Sequence, residues 1–436
     1  MRRLGSFALG LFLAGCEGPV TIAVDGHDSA DPGSSRDSGS SVLPGDTSET
    51  GDTSDTAEEE SPEEEAAWQA GFFDNAVIHE VNIELDDGAM HQLRLDGYTY
   101  VEGNVTVDGE RRDSVGVRLR GKIGSFRTID QKPKFKIDFS QYVAGQRLHG
   151  LHSMALNNEV VDCSYLKEPI GYEVFRQLGI PGARTSFSRV SVNGENYGLY
   201  VVVEVPDAEL LKLRLPDDDE GNLYDGKYLY NTVTHAYTLL DFASGEDDLF
   251  PLEEGTEEGN ASIHAISNGM AGAPNGAGFG AAMDPLVDWT EWHNAWAAEE
   301  WVGHLDGYLM NKNNYRVYFR PSDGRMMYLP TDFDYAFLTD GSWGVGWTGP
   351  IGTLGSRCYA DPSCLAAQSA AVNASLGVID APGLDAMLTE MQALIHDDAA
   401  DDPRRECGTR SVWTGQDDLH SWIAGRAERV QARWPQ

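Results

Sequence analysis

Residues 301–337 read WVGHLDGYLMNKNNYRVYFRPSDGRMMYLPTDFDYAF. RVYF and MMYLP have the composition of strands, and PSDG between them is a turn, so this stretch folds into a hairpin. The hairpin returns one polar cluster towards another: Asp306, Asn311, Asn313 and Asn314 before it, Asp332 and Asp334 after it. Carboxylate and amide oxygens that converge on one point suit a hard divalent cation such as Mg²⁺, which prefers oxygen ligands and shares them with a substrate phosphate. One carboxylate is then left to orient a nucleophile.

The spacing sharpens this reading. His304, Asp306 and Asn311 reproduce the H-x-D-x-x-x-x-N spacing of the protein-kinase catalytic loop, and Asp332-Phe333-Asp334 stands where a D-F-G would. Each match alone is short enough to arise by chance, and Asn-rich loops commonly only make turns. Their order, with a hairpin between them, favours chemistry.

Working outward to the start of the chain, Arg2 and Arg3 precede the apolar run GSFALGLFLAG, which is too short to span a bilayer and ends in Leu13-Ala14-Gly15-Cys16. This resembles a bacterial lipoprotein signal, with Cys16 the expected site of lipidation. Residues 1–16 are therefore read as a signal peptide and residues 17–66 as a disordered acidic linker, with fifteen acidic residues against Arg36. Residues 67–436 form the folded domain. The expected location is the cell envelope: lipid-anchored through Cys16 and extracytoplasmic, on the periplasmic face or the cell surface. The net charge of −38 argues against nucleic acid and anionic membrane surfaces as partners. Four cysteines remain after Cys16. Outside the cytoplasm they suggest disulfides, Cys358 with Cys364 by proximity and Cys163 with Cys407 by elimination.

Alternation over residues 76–120 predicts antiparallel strands with turns at Asp86-Asp87-Gly88 and Asp108-Gly109. Next comes the strongest basic concentration in an acidic chain: Arg120, Lys122, Arg127, Lys132, Lys134 and Lys136. In KFKIDF the period of two sets Phe135, Ile137 and Phe139 against Lys134, Lys136 and Asp138. A lysine on a strand behind a turn containing Gly121 and Gly124 suits phosphate binding; a solvated strand face balanced by carboxylates is the other reading. Ser164 is expected to cap a helix that Gly179 stops, with Glu168 and Glu173 as possible partners of the basic strand. A hairpin follows at Asn193-Gly194, and Glu204 closes its buried second strand. The tract GMAGAPNGAGFGAAM reads as a flexible surface insertion. A Trp-rich helix from Pro285 to about Gly303 delivers the chain to His304, and two amphipathic helices end the sequence.

With these residues laid out, the chain resembles the spore coat protein H (CotH) kinase family over most of residues 76–430. The resemblance rests on Arg120-Gly121 leading to K-P-K-F-K-I, the helix ending in Leu178-Gly179, the hairpin from Val192 to Glu204, the H-x-D-G-Y-x-x-N-x-N-N-Y loop and the closing D-x-D. It implies an α+β, atypical protein-kinase-like fold, with an antiparallel N-terminal sheet region and a mostly helical C-terminal region. It also implies an extracytoplasmic kinase that uses ATP and Mg²⁺ or Mn²⁺ to phosphorylate Ser or other hydroxyl groups, including Thr, on protein substrates. Asp306 would be the catalytic Asp. Asn311 and Asp332, supplemented by Asn314 and Asp334, would hold metal, and Lys134 or Lys136, with Arg120 and Glu204, would hold the nucleotide. No G-x-G-x-x-G stands ahead of the basic strand, where a kinase carries its glycine-rich loop, and Asp334 replaces the Gly of D-F-G. A surface binding or adhesion protein that uses the fold without catalysis is the alternative.

Overall fold

Alternating apolar residues close a seven-stranded barrel in the first half of the described chain. The computed structural model describes residues 60–122, 124–231, 236–242, 245–338 and 349–434. Cys16, the signal-like start and the acidic segment to residue 59 lie outside these residues, as do residues 339–348. The barrel strands are β1 Ile78–Glu84, β2 Val101–Val107, β3 Glu110–Arg120, β4 Lys134–Asp138, β5 Ser153–Asn157, β6 Thr185–Val192 and β7 Glu195–Val203, in the order β1-β2-β3-β4-β5-β7-β6. Every pair is antiparallel except β1 with β6, which run parallel and close the ring. About a hundred residues separate those two strands, so their pairing does not depend on a hairpin and can take either direction.

One face of each strand fills the barrel: Val81, Ile83, Val105, Val117, Phe135, Ile137, Tyr200 and Val202 belong to one buried cluster. Leu199, Val201 and Val203 of β7 turn outward and join a second, larger core shared with the helices. β7 is therefore nearly continuous in apolar residues because both its faces are buried. The Asp108-Gly109 and Asn193-Gly194 turns are as expected, with φ of 48° and 89°, and of 51° and 79°.

Helices α1 Pro62–Phe72, α2 Asp87–Leu95 and α3 Lys167–Gln177 are spliced into this part of the chain. Each of them corrects an expectation. α1 starts inside the segment read as linker, because Ser61 and Glu64 form a reciprocal capping box with Pro62 at the first turn. The side chain of Asp86 accepts from the Ala89 N–H, so Asp86-Asp87-Gly88 opens α2 and is not a hairpin turn. Ser164 does not cap α3. Its hydroxyl accepts from Leu166 N–H, while Asp162 accepts from the Lys167 N–H at 2.9 Å.

The second region holds α4 Ala208–Arg214, a four-stranded antiparallel sheet and most of the helices. Its strands are β8 Asn222–Gly226, β11 Leu252–Glu254, β12 Tyr315–Phe319 and β13 Met326–Pro330, ordered β11-β8-β12-β13; β9 Tyr228–Asn231 and β10 Ala236–Leu239 pair separately. β12 and β13 are the expected hairpin, with Tyr315 opposite Pro330. The Gly/Ala tract is not a flexible insertion: it forms the end of α5 Ala261–Gly272 and all of α6 Phe279–Met283, with Phe279 and Met283 fully buried. Its small residues permit close packing, since a Cβ at Gly269 would lie 2.4 Å from the Leu286 side chain. α7 Trp289–Val302 is the Trp-rich helix, and Gly303 ends it at φ 62°. α8 Tyr308–Asn311, α9 Thr353–Ala360, α10 Pro362–Val378, α11 Ala381–Asp401 and α12 Thr409–Arg433 complete an α+β architecture with a sheet-rich first part and a mostly helical second part. Both expected disulfides are present, with Cα atoms 5.8 Å apart in Cys163–Cys407 and 5.2 Å in Cys358–Cys364. Among the described residues no helix is long and apolar enough to cross a membrane.

Candidate active site

The pleat of β4 sends Phe135 and Ile137 into the barrel and Lys134 out of it, towards the segment that follows β13. Lys134 is 3% exposed, and its Nζ lies 3.2 Å from Asp332 Oδ2 and 3.0 Å from Asp334 Oδ2. Burial alone would make the ammonium shed its proton. The two carboxylates outweigh that and hold it above its usual range. The two regions of the fold meet at this cation.

The Asp332-Phe333-Asp334 turn is anchored by its middle residue. Phe333 is fully buried against Tyr172 and Phe175 of α3 and the ring of His304, over Gly171, which has no room for a Cβ. Asp332 sits at φ 51°, in the left-handed region, and its carboxylate accepts from the Asp334 N–H at 3.0 Å. Lys134 outweighs burial at Asp332 and holds its carboxyl below the usual range. Burial, reinforced by Asp332, pushes Asp334 up to about 6. Lys167 Nζ donates to the Asp334 carbonyl at 2.9 Å. His304 is buried and pushed down to about 4 by that burial, so it packs as a neutral ring.

Asp306 lies between α7 and α8, and the asparagines expected beside it converge on its carboxylate. The amides of Asn311, Asn313 and Asn314 donate at 2.5, 3.1 and 3.0 Å. Burial pushes Asp306 up to about 7, Asn311 opposes that, and the Asp332 charge adds to it. The asparagines use their N–H groups here, which leaves their amide oxygens as ligand atoms for a cation. The loop is itself held by buried carboxylates. Glu299 accepts from the N–H groups of Tyr308 and Leu309, and Asp241 accepts from Tyr308 Oη, Thr353 N–H and Lys312 Nζ at 3.0, 2.9 and 3.0 Å.

Of the two lysines on β4, Lys134 is the one in the cluster. Lys136 lies two residues further along the strand, opposite Arg118 and Ala155, where its charge acts on Asp138. Arg120 pairs with Lys134 across β3 and β4, and donates to Asn157 Oδ1 at 3.3 Å. The Asn157 amide donates in turn to both oxygens of Glu168, at 2.9 and 2.8 Å, and burial pushes Glu168 up to about 8. Glu204 is not brought to the site, because both its oxygens are engaged by Arg184. Glu173 pairs with Arg176 and is likewise elsewhere. The turn holding Gly121 and Gly124 is fixed by Asn158, whose amide donates to the carbonyls of Ser125 and Lys132.

Asn157, Asn158 and Glu159 were not legible as site residues. Asn157 ends the short buried strand SMALN and Asn158 and Glu159 follow it, and a polar triplet closing a fully buried run was the only available signal. The donor set fits a hard cation with a polyphosphate. Oxygen ligands cluster around Lys134, which faces four carboxylates: Asp332, Asp334, Glu168 and Glu159.

Among solved structures, the chain is similar to the Helicobacter pylori proinflammatory kinase CtkA, at 9% identity and a TM-score of 0.31, with 69% of this chain and 93% of that chain covered; the likeness is too loose to define the fold. Among characterised proteins it is similar to the inner spore coat protein H of Bacillus subtilis (strain 168), 23% identical over 240 residues. That alignment takes in 53% of this chain, and the chain spans 61% of the relative's length. The family described as CotH kinase protein matches residues 117–430, from within β3 to the last helix, and this chain belongs to it.

Proposed function

We propose that the protein is an extracytoplasmic protein kinase that transfers the γ-phosphate of ATP, with Mg²⁺ or Mn²⁺, to Ser or Thr hydroxyl groups of protein substrates. The observation that carries this reading is the meeting of Lys134 with Asp332 and Asp334, beside an Asp306 poised near neutrality. Lys134, with Arg120 behind it, would bind the phosphates of the nucleotide. Asp332, Asp334, Asn311 and Asn314 would hold the divalent cation, which when bound neutralises phosphate charge. Asp306 would accept the proton of the acceptor hydroxyl as its oxygen bonds to the γ-phosphorus and the bond to ADP breaks. The three asparagines orient that carboxylate, and buried His304 and Phe333 exclude water behind it.

The test separates the two aspartates. Asp332→Ala should weaken Mg²⁺-dependent ATP binding as well as turnover. Asp306→Ala should leave binding nearly intact while transfer falls by on the order of a hundredfold. Calorimetric titration of ATP with and without Mg²⁺, beside a transfer assay, reads both. Wild-type protein that binds no ATP with Mg²⁺ or Mn²⁺ would leave a binding or adhesion protein as the reading. Attachment to the membrane through lipid on Cys16 belongs to the same proposal, and Cys16→Ala should release the protein into the soluble fraction; wild type that is already soluble removes the anchor.

A further inference from the structure

Glu159 takes no part in the roles assigned above, yet three features set it apart. It is 2% exposed, it sits at φ 53° in a region that non-glycine residues rarely adopt, and neither oxygen of its carboxylate has a hydrogen-bond partner. Its charged neighbours are Glu168, Asp334, Asp162 and Lys134. The other oxygens nearby are accounted for. Glu168 accepts twice from Asn157, and Asp162 accepts from Ser164 and from the Lys167 N–H. Asp334 Oδ2 faces Lys134, but Asp334 Oδ1 is buried without a partner. Three bare carboxylate oxygens on two neighbouring residues therefore remain, and the single ammonium is already shared between Asp332 and Asp334.

Buried carboxylates with bare oxygens are costly unless a cation or a proton satisfies them. We propose that Glu159 forms a second seat for a hard divalent cation, Mg²⁺ or Mn²⁺, beside the one assigned above, with Glu159 Oε1 and Oε2 and Asp334 Oδ1 as its protein ligands and Asp334 shared between the two. Two carboxylates are what such an ion usually takes from protein when the rest of its shell is water and phosphate. The left-handed backbone at Glu159 is held from both sides, by the Asn158 amide and by the Cys163–Cys407 disulfide that ties down the following loop. Strain kept at a position whose carboxyl oxygens lack partners points to a ligand. The seat deepens the proposed use of the cleft and rests on that reading for the nucleotide beside it, but its test needs no nucleotide.

The experiment is titration of the full chain with Mn²⁺ in the absence of ATP, with free Mn²⁺ followed by electron paramagnetic resonance, for wild type and Glu159→Gln. Wild type should bind Mn²⁺, and the isosteric variant should bind it at least tenfold more weakly. Thermal melting keeps the outcome independent of folding. Without metal, Glu159→Gln should melt at or above wild type, because a neutral amide replaces a buried carboxyl whose oxygens have no partner; saturating Mn²⁺ should raise wild type more and reverse the order. Equal Mn²⁺ affinity in the two proteins, or a variant that melts lower without metal and gains equally from it, overturns the seat and makes Glu159 a protonated packing residue. Wild type that binds Mn²⁺ through Glu159 but never binds ATP overturns the kinase reading alone. Wild type that binds ATP with Mg²⁺ but shows no Glu159-dependent Mn²⁺ binding overturns the seat alone.

Discussion

Asp306 and Asp332 are both aspartates beside one cluster of charge, and their surroundings push them apart. Lys134 keeps Asp332 ionised, as a cation ligand must be, whereas burial raises Asp306 to about 7. A base that must be ionised to accept a proton then has a predictable profile: transfer should rise with pH through about 7 and level off about one unit above it. A rate flat from pH 6 to 8 would remove Asp306 as the base. Behind it, Asp241 joins the Lys312 ammonium to Tyr308 and to the start of α9. Asp241→Asn keeps the shape but loses the charge facing Lys312, and Lys312→Met loses it from the other side. Each should lower turnover by about tenfold with ATP binding unchanged, and the double variant should lose little more, since the two act as one unit. Additive losses, or equal losses of ATP binding, would show that the pair does not position the Asp306 loop.

Elements carry the site only where their packing leaves no slack. α3 crosses behind the Asp332-Phe333-Asp334 turn, and a Cβ on Gly171 would lie 2.7 to 2.9 Å from the Phe333 ring. Gly171→Ala should gain about 1 kcal/mol of helix propensity but lose about 1–3 kcal/mol to overpacking against a ring with no free space, so net destabilisation is expected. The displaced Phe333 should also weaken ATP binding, which a melt and a titration on the same variant would reveal together; a variant more stable than wild type would show that the contact yields. The same packing explains which elements could be read in advance. β4, β7 and the β12–β13 hairpin announce themselves through alternation, a Gly-containing turn or a long apolar run. Their polar clusters could be located because Asp and Asn at turns are conspicuous. β5 could not: SMALN is short, buried on both faces and without period, so Asn157 and Glu159 at its end went unseen with it. α5 and α6 were hidden for the opposite reason. Their Gly and Ala residues resemble a linker in composition, and only tertiary contacts with Leu286 and the core make them helices.

At the scale of the whole molecule, acidity is carried inside as well as outside. Burial raises Glu168 to about 8, and Asp306, Asp207 and Glu299 each to about 7. In the unfolded chain these groups lose their protons near pH 4, so across neutrality the native state holds more protons than the unfolded one. Stability must then fall as pH rises through neutrality, where these groups ionise in the native protein. Below about 6.5 the trend is opposed by His304, which folding holds neutral, so the clean window is pH 6.5 to 8. Over it the melting temperature should drop by on the order of 5 °C for a protein of this size. Repulsion within a chain of net charge −38 would act in the same direction, but it is exposed to salt, and at roughly 0.5 M salt it is screened within about 4 Å. Buried acids are not screened. The drop should therefore persist at high salt and shrink in Glu168→Gln, which takes the highest of these groups out of the titration. A drop that salt abolishes and Glu168→Gln leaves untouched would assign the effect to surface charge, and would mean that the carboxylates around Lys134 are ionised in the native protein without a bound cation.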